Sequence, residues 1–290
     1  MNALEQLVLR ALLSVVLACA VSCRGPTHSA AAKDRARLEE LALDHSFDAV
    51  SGFSEGRAPV RRGVKWAYVD QSGKLITQFI FARAQEFSEG LACVQVDSKY
   101  GYLNRSGAFA IHPRFREAGT FHESLAFVAE DVKYGYIDKS GAFVIPQRFD
   151  LAFDFSEGFA AVEVGDRYGF IDTHGKFLVE PRFDNVEFFS EGLAAVGTGV
   201  GWGFINTKGN IVIPPQFEQL GSPSAFKEDS IPVKRGSSWG YIDRTGRFFI
   251  QPRFDQAEPF SKGIARVQEG SGNLARSGCI NKSGESVECP

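Results

Sequence analysis

Methionine is nearly missing from this chain: the initiator is the single one in 290 residues, against 26 phenylalanines. Flexible thioether filler is therefore excluded, and the interior must be packed by rigid rings in repeated roles. An excess of positive charge is missing too. Lys plus Arg is 32 and Asp plus Glu is 35, a net charge of −3, which leaves no electrostatic footprint for nucleic acid. The five cysteines contain no C-x-x-C pair, so neither a zinc site nor thioredoxin-like chemistry is indicated. His112, His122 and His174 are the mid-body histidines, and none stands in H-E-x-x-H or beside an isolated Ser or Cys that would suggest a nucleophile. No Gly-rich phosphate loop occurs; the glycines are spaced as turn residues. No catalytic site, metal site or cofactor is expected.

Long apolar runs are also scarce. The one from Ala11 to Ser22 follows Arg10 and is too short to span a bilayer comfortably. It ends at "AVSC", which resembles a bacterial lipobox with Cys23 as the acylated residue, although Ala20 stands where Leu is usual. "VLAC" at Cys19 is a rival site, and an ordinary cleaved signal or an uncleaved anchor are the other readings. Residues 1–22 are thus read as a lipoprotein-type signal and 23–44 as a tether with a possible short helix in "KDRARLEELALD". Arg24, where Asp would signal inner-membrane retention, favours the outer membrane. The expected address is the cell envelope, with a periplasmic or secreted protein as the alternative and the lipid as the sole membrane contact. Export implies an oxidising compartment. A Cys279–Cys289 bridge could then pin the end of the chain, leaving Cys93 unpaired and buried.

What is abundant is repetition. Aligned on "FSEG", residues 45–290 divide into seven units led by Phe53, Phe87, Phe121, Phe155, Phe189, Phe226 and Phe260. The steps are 34 residues except for one of 37, between Phe189 and Phe226. A second column holds Phe47, Phe81, Phe115, Phe149, Phe183, Phe217 and Phe254. A third holds Trp66, Tyr100, Tyr134, Tyr168, Trp202 and Trp239, followed by Gly except at Ala67.

Every unit carries Asx-x-x-Gly, as in "NRSG" and "DKSG". Asp or Asn accepts a backbone N–H at the first turn position, and Gly at the fourth takes the positive φ of a type I turn closing with a bulge. The flanks alternate, "YGYI" before and "AFVI" after, as strands do, and "LACVQV" reads as a third strand. Pro113, Pro146, Pro181, Pro214 and Pro252 are expected to end the last strand, since Pro cannot donate to a ladder. Each unit is thus a three-stranded meander plus an "RFD" link.

"KYGYIDKSG", "GWGFINTKG" and "SWGYIDRTG", each about ten residues after an "FSEGLA"-like turn, resemble the bacterial WG (KWG) repeat. The resemblance covers nearly all of 45–290 and implies a β-repeat array, with no general enzymatic activity to carry over. The first unit departs from it at "KWAY" and the last at "SGCI", as capping repeats do. Ordering a unit costs about 1–2 kcal/mol per residue in backbone entropy. One three-stranded sheet cannot recover that, so stability must lie in rings buried between neighbours. The fold class expected is all-β. With three strands per unit, an open twisted or superhelical array is favoured over a closed seven-bladed propeller-like ring.

These residues bear on three functions. A binding or scaffold module for a protein partner or envelope polymer comes first, with Arg114, Arg148, Arg182 and Arg253 as a candidate outward ladder. The bland alternative pairs each Arg with a nearby carboxylate. Carbohydrate binding through the aromatic-Gly column comes second, and requires Trp66, Trp202 and Trp239 to face solvent; so regular a column is expected in the core. An enzyme is not expected, because the Glu of "SEG" recurs in six units, as a turn residue does, while catalysis needs a constellation found once.

Overall fold

Alternating aromatic and β-branched segments extend into strands, and the two kinds of turn fold them back on one another. The computed structural model of the chain describes residues 37, 46–270 and 276–289. The signal segment, Cys23 and the tether other than Arg37 lie outside these residues. Arg37 is helical, and its guanidinium donates to the Ser72 carbonyl. All other described regular structure is strand, in seven antiparallel sheets, none of which closes into a barrel. The chain divides into two compact bodies, 26–188 and 189–290.

One sheet of the first body shows the plan. Leu151–Ala152, Phe159–Val164, Arg167–Asp172 and Phe177–Phe183 lie side by side in chain order. Three strands are expected from the pattern, and the structure adds a fourth: the link after "RFD" pairs Leu151 with Glu163 and Ala152 with Val162. Two residues are too few to display alternation, which is why this strand is silent in the sequence. Four is also the strand number of a propeller blade, so strand count does not separate an open array from a ring.

The prolines depart from expectation as well. They lie inside the last strands, Phe109–Phe115 and its counterparts, and do not end them. The reason is a bulge. Tyr100 faces Phe115 while Tyr102 faces Ile111, so Gly101 alone stands opposite His112, Pro113 and Arg114. Bulged residues leave the ladder, and a missing N–H costs nothing there. This also explains the glycine after the aromatic. A Cβ at Gly101 would lie 2.6 Å from the Ile111 carbonyl oxygen, and one at Gly135 2.5 Å from that of Ile145. Where Ala67 takes the place, the outer strand is reduced to isolated bridges, Trp66 to Phe81 and Val69 to Leu75.

Both Phe columns are buried from Phe81 onward, while Phe47 and Phe53 of the first unit are half-buried. The rings cross between sheets edge to face, Phe115 with Phe143 at 6.5 Å and Phe149 with Phe177 at 6.3 Å. One core cluster joins Tyr136 and Phe149 to Phe155, Val162 and Ile171 of the following sheet. A further column, Tyr68, Tyr102, Tyr136, Phe170, Phe204 and Tyr241, is fully buried. The aromatic-Gly column, expected in the core, is half-buried except for Tyr134. Both columns share a strand face, being two residues apart. The earlier ring sits near the strand end and reaches the rim, whereas the later one sits mid-strand.

Candidate functional site

The repeated polar residues come first, because their number suggests a surface. In "SEG", Glu89 and Gly90 both have positive φ, 53° and 89°, between Ser88 and Leu91, which exchange backbone hydrogen bonds. That is a two-residue primed hairpin, where Asn would be the easier choice. Glu stands there because its carboxylate reaches the next unit. Glu55 accepts the Gly90 N–H at 3.0 Å, Glu89 that of Ser124 at 2.9 Å, Glu123 that of Gly158 at 2.9 Å and Glu228 that of Gly263 at 3.0 Å. The serine works in parallel, Ser54 Oγ donating to the Phe87 carbonyl at 2.5 Å and Ser88 Oγ to that of Phe121 at 2.6 Å. A cation from the next Asx turn completes the contact: Arg105 on Glu55 at 2.8 Å, Lys139 on Glu89 at 3.0 Å. Sequence reasoning recognised the turn and missed the reach to the neighbour.

The arginines of "RFD" face outward, as alternation from Phe requires, and are engaged there. Arg114 Nη2 donates to the Gly141 carbonyl at 2.6 Å and Arg253 Nη2 to that of Gly284 at 2.6 Å, while Arg148 makes the same bond to Gly175. Arg114, Arg148, Arg182 and Arg253 also lie 4.7–5.0 Å from the centre of the Phe ring that follows each. Where Asp follows the Phe it caps a hairpin of the next sheet, Asp150 accepting the Gly165 N–H at 3.0 Å and Asp255 that of Gly270 at 2.6 Å. Buried tyrosines close the pattern, Tyr102 OH donating to the Gly119 carbonyl and Tyr136 OH to that of Phe153, both at 2.8 Å. Cys279 and Cys289 are joined in a disulfide with Cα atoms 5.3 Å apart, and Cys93 is free and buried.

Two places break the repeat. The first is Thr120, His122 and Asp154, where His122 replaces the serine of "SEG". Thr120 Oγ1 and Asp154 Oδ2 both approach the same ring nitrogen, His122 Nε2, at 2.9 and 3.6 Å. A proton relay needs its partners on opposite nitrogens, so this geometry cannot activate the threonine. Desolvation pushes the Asp154 carboxyl up to about 6, against the pull of His122, and its Oδ1 has no hydrogen-bond partner. Burial likewise raises the Cys93 thiol well above its ordinary value, which leaves it inert.

The second lies in the second body. The distance from a second-column Phe to the next lead Phe is six residues, as from Phe183 to Phe189 and Phe254 to Phe260, but nine from Phe217 to Phe226. These three extra residues account for the 37-residue step. The resulting loop, "GSPSA" at 221–225, walls an open groove of about 460 Å3. Trp202 and Trp239, from consecutive sheets, line it together with Gln219, Ser222, Ser224 and Gln256. Each indole packs on its sheet's core and is half-exposed. At three other positions of the column a side chain lies against the ring: Arg61 over Trp66 at 5.9 Å, Phe127 at 6.1 Å from Tyr134 and Phe153 at 6.2 Å from Tyr168.

Four-stranded sheets repeated along the chain, with their polar motif residues tied to one another, define a tandem β-repeat protein. The chain belongs to the WG repeat family: the pattern of the WG containing repeat matches seven times, at residues 37–66, 66–100, 100–133, 134–168, 168–199, 202–236 and 239–272. No curated protein matches the chain. Among solved structures it is similar to the crystal structure of a eukaryotic initiation factor, with a TM-score of 0.56 and 14% identity over 83% of this chain and 77% of that one. It is similar more distantly to apo AztD from Citrobacter koseri, with a TM-score of 0.45 and 11% identity over 82% and 84% of the two chains. The first likeness is one of fold alone.

Proposed function

We propose that this WG repeat protein is a non-catalytic binding module of the cell envelope, exported by its N-terminal segment and lipid-anchored through Cys23. One observation carries the binding reading. Motif residues such as Glu89, Ser88 and Arg114 are occupied between neighbouring sheets, whereas at the 221–225 insertion two motif indoles, Trp202 and Trp239, line an open groove together with Gln219, Ser222, Ser224 and Gln256, which the motif does not prescribe. The repeat builds the scaffold, and the insertion that departs from it frames two of its indoles for a partner. The arginine ladder is less favoured as an anion site, because Arg114, Arg148 and Arg253 each donate to the carbonyl of a neighbouring turn and lie over their own Phe ring. A protein partner across the wider surface and a saccharide polymer at the groove both fit a binding module; the half-exposed Trp202 and Trp239 favour the polymer there.

The test is recovery of the tagged full chain from solubilised envelope of its host. A component retained by the wild type should be lost with Trp202→Ala/Trp239→Ala and kept with Arg114→Ala/Arg148→Ala. Loss with the arginine pair and retention with the tryptophan pair would reverse the assignment, and absence of any retained component would remove it.

A further inference from the structure

We propose that the groove between Trp202 and Trp239 is a binding site for a neutral oligosaccharide. The inference rests on the binding reading above and names its ligand class.

The lining excludes charged ligands. Its named side chains, two indoles, two carboxamides and two hydroxyls, carry no formal charge. An anionic polymer, a phosphate or a lipid head group would find no counter-ion there, and leaving water without one is costly. A purely apolar ligand would strand the polar groups of Gln219, Gln256, Ser222 and Ser224 against hydrocarbon. A pyranose satisfies both demands. Its faces present C–H bonds that are drawn to the negative face of an indole. Its rim presents hydroxyls that both donate and accept, which is what a carboxamide and a serine hydroxyl offer in return.

Size and extent agree with more than one ring. A volume of about 460 Å3 lies within the ~300–1,000 Å3 of small-molecule sites. Two indoles from consecutive sheets provide two stacking platforms. Ser222 and Ala257 also border a second depression of about 500 Å3, lined by Pro223, Lys227, Glu258, Pro259 and Ser261. A linear chain can therefore run on beyond the tryptophans. The three-residue insertion falls in the interval between the two tryptophans, and its residues line the groove with both indoles. A proline-rich peptide, which also docks on aromatic grooves, is the competing class.

The experiment titrates the purified full chain, following tryptophan emission, with three tetrasaccharides: β-1,4-linked N-acetylglucosamine, β-1,4-linked glucose and α-1,4-linked glucose. A proline-rich decapeptide is titrated alongside. The expected result is a saturable emission change with at least one saccharide. Read by titration calorimetry, because the double variant lacks the reporting indoles, affinity should fall by about tenfold or more in Trp202→Phe/Trp239→Phe, as loss of central aromatic anchors does, and be unchanged in Trp66→Phe. Gln219→Ala/Gln256→Ala guards against misfolding, because both side chains are exposed and outside the core; it should weaken binding too. Silence with all three saccharides, saturation by the peptide alone, or saccharide binding indifferent to both pairs of substitutions overturns the proposal. If saccharides are silent while envelope recovery still depends on Trp202 and Trp239, the glycan assignment fails and the binding reading stands. If recovery fails as well, both fall.

Discussion

A glutamate with φ near +53°, found in turn after turn, is a poor choice for the turn taken alone. It becomes intelligible once its carboxylate is seen on the next turn's N–H. The same holds for Gly135, whose missing Cβ admits the Ile145 carbonyl. Single side chains thus divide into those that fill space and those that tie sheets together, and their removal should differ in kind. Phe149 is fully buried between two sheets, and Phe149→Ala should cost about 3–5 kcal/mol in denaturant unfolding through lost burial and cavity. Lys139→Ala breaks only a half-exposed ion pair with Glu89 and should cost under about 1 kcal/mol; equal losses would contradict the core assignment. Asp154 predicts a pH dependence. Its folded value, about 6, lies above the ordinary 3.8. Between those limits the folded state holds the proton and the unfolded state does not, so stability falls as pH rises through that window. Asp154→Asn should flatten this fall and be roughly 1–2 kcal/mol more stable than wild type at pH 7. Parallel stability–pH curves for the two proteins would refute the shift.

Within each body, a sheet keeps its rim occupied by tying it to the next. Glu–Ser reciprocity at the "SEG" turns is the clearest case, and it predicts a local effect separable from core packing. In Glu123→Ala the Gly158 amide loses its acceptor. Its hydrogen exchange should accelerate strongly, while the Val162 amide, in the core of the same sheet, keeps wild-type protection and the unfolding midpoint moves little. Uniform acceleration of both amides would mean that the carboxylate supports the whole sheet. The end sheets keep these ties and lack other parts of the pattern. The first has lost its glycine and its continuous outer strand, and the last keeps only Ser286–Val287 there, with the Cys279–Cys289 disulfide closing a loop of ten residues. Such a link contributes about 2–3 kcal/mol in the chain-entropy account.

Within each of the two bodies, stability accumulates from interfaces between like sheets, so the pattern tolerates variation wherever no neighbour is touched. That freedom is what allows a single insertion to create a groove without disturbing the sheets on either side. The proposed address makes its own prediction. In a host with lipoprotein processing, the chain should incorporate a palmitate analogue and Cys23→Ala should abolish the label; persistent label in that variant would remove Cys23 as the anchor.

Much of the architecture was legible because a repeat supplies many readings of one rule. Positive-φ glycine in "DKSG", alternation in "YGYI" and the two Phe columns each follow from local chemistry or from the need to bury rings, and these are set by residue type and spacing. The two-residue first strand, the prolines held within a bulge, the rim position of Trp202 and the partners of Glu89 and Arg114 were not legible. Each depends on which backbone atom of another segment arrives within about 3 Å, and spacing along the chain does not encode that distance. The 37-residue step was visible as an anomaly, but only packing placed it beside two indoles. An insertion acquires chemistry from whatever the fold sets next to it.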